Sequence, residues 1–314
     1  MKTFKNTHNA SNKKQYLNEF MLGIIDRLSK CGRKRTAEAY TSALKSFQQF
    51  RHNRPLAINE IDAGILSSYE TYLQAERGIT RNSSSFYMRI LRAVYNRAVE
   101  QELTMDRHPF RHIYTGVDKT RKRALQLSDI RHIKELDLSC HPNYDNARNL
   151  FLFSFCTRGM SFIDMAYLRK QNLQNGILAY KRHKTGQSLC IKWEKYMEEL
   201  LFRLGHGNGE LLLPILNPEN GDLRTQYKKS MCLTNYRLHC VGKMAGLNIP
   251  LTMYVARHSW ASIARSHNIP ISIISEGMGH EHEKTTRVYL ASLDSSAIDQ
   301  ANALLLNELA RMEI

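Results

Sequence analysis

The sequence predicts a mostly α-helical protein of two domains, with one small β-hairpin in the second domain. The chain has 314 residues, which is the length of two domains at roughly 150 residues each. Apolar residues recur every three or four positions through most segments, as they do in amphipathic helices. Only residues 175–193 alternate between apolar and polar side chains on both sides of a Lys-Thr-Gly turn, which is the pattern of a hairpin.

The charge balance favours a polyanionic partner. The chain carries 45 Lys and Arg residues against 29 Asp and Glu residues, a formal net charge of +16. Both halves of the chain share this basic excess, so we expect both domains to contact the partner. Nucleic acid is the favoured partner, with an anionic membrane surface or a simple gain in solubility as the alternatives.

Nothing in the sequence predicts a membrane span, a secretory signal or a cysteine-based metal site. No apolar run reaches the ~20 residues that a span needs, and the polar start is unlike a signal peptide. The six cysteines show no C-x-x-C spacing, which argues against a disulfide framework and a tetrahedral zinc site. We expect reduced thiols and a cytoplasmic protein.

Residues 1–14 are predicted to form a flexible basic arm. Four helices are predicted between residues 15 and 112. In the first helix, apolar side chains recur at a spacing of four, at Tyr16, Phe20, Ile24 and Leu28. The other three patterns lie at 36–50, 63–76 and 83–103, and a Gly or Pro residue follows each of them. The first domain is therefore expected to be all-helical.

The fourth helical pattern carries arginines beside its apolar face. Arg81, Arg89 and Arg92 leave one side of the helix free to pack while the other side contacts phosphates. They are candidate DNA-binding residues, and a solvated surface is the alternative.

A basic linker is predicted at 113–123. The segment lacks apolar periodicity and ends in the cluster Arg121, Lys122 and Arg123. This composition is typical of a linker that follows a phosphate backbone, so the cluster is a further candidate DNA contact. We place the domain boundary there.

The second domain, 124–314, is predicted to be helical around the hairpin. Two buried helices flank a break at Thr157-Arg158-Gly159, and Lys184 lies at the tip of the hairpin or on the edge of its second strand. Further helices are predicted at 193–204, at 225–245, after Thr252, before Gly277 or Gly279, and at 295–313.

Four residues of the second domain together have the chemistry of phosphodiester attack. Such a reaction needs a nucleophile, cations for the nonbridging oxygens and an acid for the leaving oxygen. Tyr289, Arg257, Lys184 and His280 offer these groups. No acidic cluster that could hold Mg²⁺ accompanies them, since Asp164 stands alone in an apolar helix, and a metal-free mechanism follows. Each residue alone is weak evidence, because such side chains more often pack or form salt bridges, and their joint order carries the prediction.

Three short motifs resemble those of the tyrosine recombinase, or phage integrase, family. ARHSWA at 256–261 resembles the second arginine box, GMGHEHEKTTRVYL at 277–290 the turn leading to the nucleophile, and KRHKTG at 181–186 the hairpin with the lysine. The resemblance extends to the branch of conjugative-transposon integrases and DNA invertases. It implies a helical, SAM-like core-binding domain at 15–112 and a catalytic domain at 124–314 that close as a C-shaped clamp around duplex DNA.

The same resemblance implies a role for each of the four residues. Tyr289 is the nucleophile that forms a 3′-phosphotyrosine and releases a 5′-hydroxyl. Arg257 clamps the nonbridging oxygens with its planar fork, Lys184 protonates the departing 5′-oxygen, and His280 hydrogen-bonds the phosphate. Because the covalent intermediate stores the energy of the broken bond, neither ATP nor a metal nor any other cofactor is expected.

One departure from the family pattern concerns proton transfer. Tyr254 stands three residues before Arg257, where the family usually has a histidine. A phenol donates a hydrogen bond to a phosphate but, with a pKa of about 10, is a poor base at neutral pH. Removal of the Tyr289 proton then falls to His280, to water or to the substrate.

The other departure concerns the first catalytic arginine. In many family members it lies three residues before an acidic residue, which with Asp164 as that acid would be Ser161. Arg158, one turn earlier, is the favoured candidate because Gly159 lets the turn swing it inward. Arg182, two residues before the hairpin lysine, is the alternative, since some integrases of conjugative elements use that position.

The resemblance implies a site-specific DNA recombinase that integrates, excises or inverts DNA. It would act as a homotetramer on two double-stranded sites, exist as a monomer in solution, work with accessory DNA-bending proteins and lie with the nucleoid in a bacterial cytoplasm. The helix at 295–313 packs on its own domain or docks on a neighbouring protomer. Two alternatives stay open: a DNA-binding protein of the same fold that has lost catalysis, and relaxation of the type IB topoisomerase kind.

Overall fold

The computed structural model describes residues 14–118 and 123–290, and of 288–290 it describes the backbone alone. Several predictions from the sequence lie outside these residues. They are the basic arm up to residue 13, the candidate DNA contacts Arg121 and Lys122, and the terminal helix at 295–313. Lys14, the last residue of the predicted arm, pairs with Glu60 at 3.3 Å.

The chain divides into two compact units, Met1–Thr120 and Arg121–Ile314. The division falls inside the segment 113–123. Across the described ranges, no helix is long and apolar enough to cross a membrane.

The described part of the first unit, 14–118, contains four α-helices, where the apolar spacing predicts them. They are α1 (Leu17–Lys30), α2 (Lys34–Phe50), α3 (Ala63–Thr71) and α4 (Arg81–Glu100), with a 3₁₀-helix at Ile58–Glu60 and a π-helical turn at Tyr72–Glu76. The side chains of Asp62 and Thr80 cap α3 and α4 by accepting N–H groups of the first turn. Phe47 and Tyr69 meet edge to face in the core, with ring centroids 5.0 Å apart.

The chain after α4 is fixed to the N-terminal turn of that helix. The Asn82 amide donates to the carbonyl of Asp118 at 3.1 Å and accepts from the Asp118 N–H at 2.7 Å. The Arg81 guanidinium lies 3.8 Å from the centroid of the Tyr114 ring and 3.8 Å from an Asp118 carboxylate oxygen. Residues 114–118, which the sequence places in the linker, therefore pack as part of the first unit.

Eight α-helices belong to the described part of the second unit. They are α5 (Leu127–Glu135), α6 (Pro142–Cys156), α7 (Phe162–Ala166), α8 (Lys195–Leu204), α9 (Leu223–Met244), α10 (Met253–Ser266), α11 (Ile271–Gly277) and α12 (Glu283–Leu290), with 3₁₀-helices at Lys170–Asn172 and Pro218–Asn220. Helix α6 is central, since it packs against α8, α9 and α10. Phe151 and Phe153 of α6 are fully buried, as expected for a helix that is apolar on most sides.

A three-stranded antiparallel sheet completes the second unit. Its strands, in the order β1-β2-β3, are β1 (Leu173–Gln174), β2 (Ile177–Lys181) and β3 (Ser188–Lys192). Strands β2 and β3 are the predicted hairpin, and β1 is a short edge strand that the sequence pattern did not predict. Leu178 and Tyr180 of β2 and Leu189 and Ile191 of β3 are buried while their neighbours are exposed. The predicted class, mostly α with a small sheet in the second unit, is confirmed.

Candidate active site

Arg257 is the buried centre of the candidate site. It lies in α10 with 4% of its surface exposed. Its Nη1 donates to the carbonyl of Gly159 at 2.7 Å, and its Nη2 donates to the carbonyl of Met278 at 2.7 Å. Nη2 also lies 3.0 Å from Nε2 of His280. One guanidinium thus joins α10 to the α6–α7 turn and to the α11–α12 turn.

The α6–α7 turn reaches Arg257 because residue 159 is a glycine. Gly159 has φ +71°, and a Cβ there would lie 2.7 Å from the Cα of Arg257. Arg158 also has left-handed backbone, with φ 59°, which costs an L-residue roughly 1–2 kcal/mol. The N–H groups of Gly159 and Met160 both donate to the carbonyl of Ser154, at 2.8 and 3.2 Å. The backbone strain is thus borne by Arg158, in a turn that packs tightly on α10.

Arg158 is half-buried and, among the described residues, has no hydrogen bond or ion pair. Its Cδ lies against α11, 3.6 Å from the place of a Cβ on Gly277. Its charge reaches Tyr180 on β2, where burial raises the pKa of the phenol and three arginine charges, that of Arg158 among them, lower it. Arg158 is therefore a cation inside the cluster with no carboxylate or carbonyl acceptor in the described part of the chain.

Arg182, the alternative first arginine, is buried and committed to protein partners. Only 6% of it is exposed, and its Nε lies 3.8 Å from a carboxylate oxygen of Asp164. Its Nη1 donates to the carbonyl of Gly279. Gly279 has φ +64°, and a Cβ there would lie 2.5 Å from the Cδ of Arg182. Arg182 therefore ties the end of β2 to the turn just before His280.

Asp164 holds the tip of the hairpin through contacts with His183 and Arg182. Its side chain is 1% exposed, and it accepts from the Ser161 hydroxyl at 2.6 Å and from the His183 N–H at 2.8 Å. From the sequence, Asp164 was an isolated acid in an apolar helix. In the structure it forms an ion pair with Arg182. Ser161, at the position where the family has its first arginine, caps α7 instead.

Lys184 lies at the exposed tip of the hairpin. Arg182 donates its N–H to the carbonyl of Gln187, and Gly186 donates its own to the carbonyl of Arg182, each at 2.8 Å, which closes the loop. The ammonium is near enough to His280 to lower the pKa of that imidazole. The structure thus places the lysine near enough to the arginine cluster for its charge to act on His280.

His280 lies half-buried between Arg257 and α12. Its Nε2 faces Arg257, and its Nδ1 lies 2.8 Å from the hydroxyl of Thr286. Burial, followed by the charges of Arg257, Arg182 and Lys184, lowers the pKa of His280 from 6.5 to about 4. The imidazole is therefore neutral at pH 7.

The two tyrosines predicted for the site occupy different elements. Tyr254, in the first turn of α10, is 53% exposed, and its ring stands edge-on to that of His258 with centroids 4.6 Å apart. His258 is buried, with 8% exposed. Tyr289 lies in α12, nine residues after His280, and its side chain is outside the described part of the structure.

The described candidate DNA contacts differ in their surroundings. In the first unit, Arg81 is engaged with the segment after α4, and Arg92 donates to the Thr115 hydroxyl at 3.3 Å. Arg89 is exposed there, and Arg123 is exposed in the second unit. Exposure leaves Arg89 and Arg123 accessible to a phosphate backbone.

Reasoning from the sequence missed two side chains of the site. Thr286 is fully buried against His280, and Asp164 holds the hairpin tip. The Ser161-x-x-Asp164 pattern at a helix start is a capping signal that would have indicated the role of Ser161. No local signal pointed to Thr286, because its partner lies on the other side of a turn.

Solved structures of integrases share this fold. A lambda integrase(75–356) dimer bound to a COC′ core site has a TM-score of 0.67 at 16% identity, covering 88% of this chain and 95% of that one. A lambda integrase tetramer bound to a Holliday junction has a TM-score of 0.65 at 15% identity, covering 88% and 78%. The Tn1549 transposon integrase in complex with transposon right end DNA has a TM-score of 0.67 at 13% identity, covering 93% and 99%.

The chain therefore has the fold of the tyrosine recombinases, and the predicted resemblance is confirmed at the level of the fold. Its N-terminal unit is more closely defined, because residues 16–115 match the family model of the phage integrase SAM-like domain. No curated protein matches the sequence.

Proposed function

We propose that the protein is a site-specific DNA recombinase that cleaves and rejoins DNA through a 3′-phosphotyrosine on Tyr289. The observation that carries the proposal is the convergence of Arg158, Lys184, Arg257 and His280 from four separate parts of the second unit. A cluster of fixed cations and one neutral imidazole suits an anionic phosphodiester that gains negative charge in the transition state. The tyrosine recombinase fold supports the same function.

Arg257 and Arg158 are the proposed clamp for the nonbridging phosphate oxygens. Two backbone carbonyls hold the Arg257 guanidinium in place before substrate arrives, so little reorganisation is needed at the moment of reaction. Arg158 has no acceptor in the described part of the chain, whereas Arg182 already serves Asp164 and Gly279. Arg158 is therefore the proposed first arginine, and Arg182 a support for the turn.

Lys184 is the proposed acid. As the Tyr289 oxygen forms its bond to phosphorus, the bond from phosphorus to the 5′-oxygen breaks, and that oxygen takes a proton from the ammonium. An exposed position on a hairpin tip allows the lysine to follow the leaving oxygen. Tyr254 is proposed to donate a hydrogen bond to the phosphate, because an exposed phenol at the start of α10 is a donor but a poor base.

Double-stranded DNA and further copies of the chain are the proposed partners. The net charge of +16 favours a DNA partner, and the similar integrases are described as dimers and a tetramer on DNA. We propose a monomer that assembles as a homotetramer on two sites in the bacterial cytoplasm, with the 295–313 segment docking on a neighbouring protomer. Integration, excision and inversion are equally compatible with this chemistry.

A nicked duplex that traps the covalent intermediate tests the proposal. The site is sought among inverted or direct repeats that flank the gene, and a wild-type covalent complex should disappear in Tyr289→Phe. Tyr236→Phe, at an exposed tyrosine of α9, is the matched control and should keep the complex. DNA binding without any wild-type complex would indicate a protein that has lost catalysis. A complex without exchange between two sites would indicate relaxation of the topoisomerase kind.

A further inference from the structure

The two ring nitrogens of His280 have different neighbours, and these define its tautomer. Nε2 lies 3.0 Å from Nη2 of Arg257. An arginine side chain only donates hydrogen bonds, so this contact is a hydrogen bond only in the tautomer whose Nε2 accepts and carries no proton. In a neutral imidazole the proton is then on Nδ1, which donates to the Thr286 hydroxyl at 2.8 Å.

Thr286 is placed so that this hydrogen bond is not shared with water. Its surface is fully buried, and α12 packs on α10 and α11 around it. The backbone N–H of His280 donates to the carbonyl of Ser275 at 3.0 Å, which fixes the backbone of this residue. His280 is thereby held at two points, its backbone by Ser275 and its ring Nδ1 by Thr286.

We infer that Thr286 is a positioning residue that holds His280 in the Nδ1–H tautomer, so that Nε2 is an acceptor when the phosphate binds. The inference rests on the proposed function, since it assigns the group that takes the proton of Tyr289. A phosphate oxygen is anionic and a stronger acceptor than a neutral imidazole. When the phosphate binds, its oxygen replaces Nε2 as an acceptor beside Arg257 while the two carbonyls keep the guanidinium in place, and the Nε2 lone pair becomes available.

The proton balance of cleavage then closes within the site. The Tyr289 phenol gives its proton to Nε2 of His280 while its oxygen bonds to phosphorus, and the 5′-oxygen leaves with a proton from Lys184. In rejoining, each proton returns along the same path. The opposite tautomer would set an Nε2–H against the Arg257 N–H, two donors facing each other, and would have no lone pair for the phenol proton.

The spacing in α12 couples this base to the nucleophile. Thr286 and Tyr289 are three residues apart in one helix, a separation that makes residues neighbours on a helix surface. A shift of α12 would therefore change the support of the base and the place of the nucleophile together. The lowered pKa of His280 agrees with an imidazole that is neutral before substrate binds.

Imidazole ¹⁵N spectra of histidine-labelled protein, combined with single-turnover cleavage, test the inference. The His280 signals are identified by their loss in His280→Gln. The wild type should show a protonated Nδ1 and an unprotonated Nε2. Thr286→Val keeps the side-chain shape but removes the acceptor of the Nδ1–H. Although the Arg257 contact still opposes it, the Nε2–H tautomer should take a larger share than in the wild type, and cleavage should slow by about 10-fold or more with unchanged DNA affinity.

Two variants serve as controls. Thr286→Ser keeps a hydroxyl and should retain the wild-type tautomer and most of the cleavage rate. Thr285→Val, at the exposed neighbouring threonine, should leave both unchanged. A wild-type Nε2–H tautomer, a Thr286→Val variant with wild-type tautomer and rate, or a Thr286→Ser variant that loses the Nδ1–H tautomer would each overturn the inference.

The spectra separate this inference from the proposed function. Should the wild type form no covalent complex on its flanking repeats, the proposed recombinase function fails. The tautomer of His280 and its response to Thr286→Val would still decide, without any activity, whether Thr286 positions the imidazole.

Discussion

The environments of Arg158 and Arg182 distinguish two arginines that the sequence could not rank by spacing alone. Arg182 is buried, and a buried cation needs a counter-charge or acceptors: Asp164 is its ion-pair partner at 3.8 Å, and the Gly279 carbonyl accepts from its Nη1. Arg158 is half-buried with no acceptor in the described ranges. A phosphate would supply the acceptor that Arg158 lacks.

Replacing each arginine by alanine should therefore have different effects. Arg158→Ala should slow single-turnover cleavage by about 10²–10³-fold, the loss typical of one transition-state donor, with the urea midpoint nearly unchanged. Arg182→Ala should lower the free energy of unfolding by about 3–5 kcal/mol, because the buried Asp164 keeps its hydrogen bonds from Ser161 and His183 but loses its counter-charge. Full cleavage activity in Arg158→Ala would remove it from the catalytic set.

The neutral His280 gives the fold a sensitivity to mild acid. Its pKa is about 4 in the folded protein against 6.5 in an ordinary histidine, so the unfolded chain binds a proton at higher pH than the folded one. Stability from this residue is complete above pH 6.5 and falls as the pH drops towards 4. The urea midpoint of His280→Gln should therefore change less than that of the wild type between about pH 7 and about pH 5. Equal changes in the two proteins would contradict the assignment.

At the scale of elements, the packing of the α6–α7 turn on α10 restricts which residues the turn can contain. The turn needs left-handed backbone at Arg158 and Gly159 and has no space for a side chain at Gly159. Glycine is the residue that meets both conditions without strain.

Gly159→Ala should be more harmful than an alanine at another left-handed glycine. The added methyl would lie 2.7 Å from the Arg257 Cα, so the turn must move in addition to bearing a left-handed alanine. Gly209 has φ +56° with nothing within 4 Å of a Cβ, and Gly209→Ala should cost only the backbone term of roughly 1–2 kcal/mol. Urea unfolding should show a larger loss for Gly159→Ala, together with reduced cleavage. Similar losses in the two variants would mean that the turn adapts freely.

The β2–β3 hairpin is the second element whose position depends on tertiary contacts. Asp164 accepts from the His183 N–H and pairs with Arg182, so α7 holds both residues that precede Lys184. Alternation in the sequence predicts the two strands but contains no information on which helix supports the tip.

For the whole molecule, the basic excess is spread over two units, and salt should control DNA affinity. The slope of log K against log salt has a magnitude of about 0.9 for every phosphate that a basic side chain neutralises. Arg89→Ala should therefore reduce the magnitude of the slope by about 0.9, measured between about 50 and 200 mM salt, and weaken binding to all sequences alike. Arg169→Ala is a suitable control, since Arg169 pairs with Glu210 on the surface of the second unit. An unchanged slope in Arg89→Ala would exclude that phosphate contact.

The sequence by itself determined most of the described elements and which residues are candidates for the site. Apolar spacing determined the helices of both units, alternation determined the β2–β3 hairpin, and short motifs singled out Lys184, Arg257, His280 and Tyr289. These features are local, because helix and strand periodicity and turn residues act over a few neighbouring positions.

Only the tertiary structure decided how the site is held together. The carbonyl of Gly159 bonds to Arg257 across 98 positions of the chain, and that of Gly279 to Arg182 across 97. The tautomer of His280, the pairing of Asp164 and the difference between Arg158 and Arg182 all depend on such contacts. The physical reason is that burial and hydrogen-bond partners arise from packing between distant segments, whereas sequence patterns report which surface of each segment is apolar.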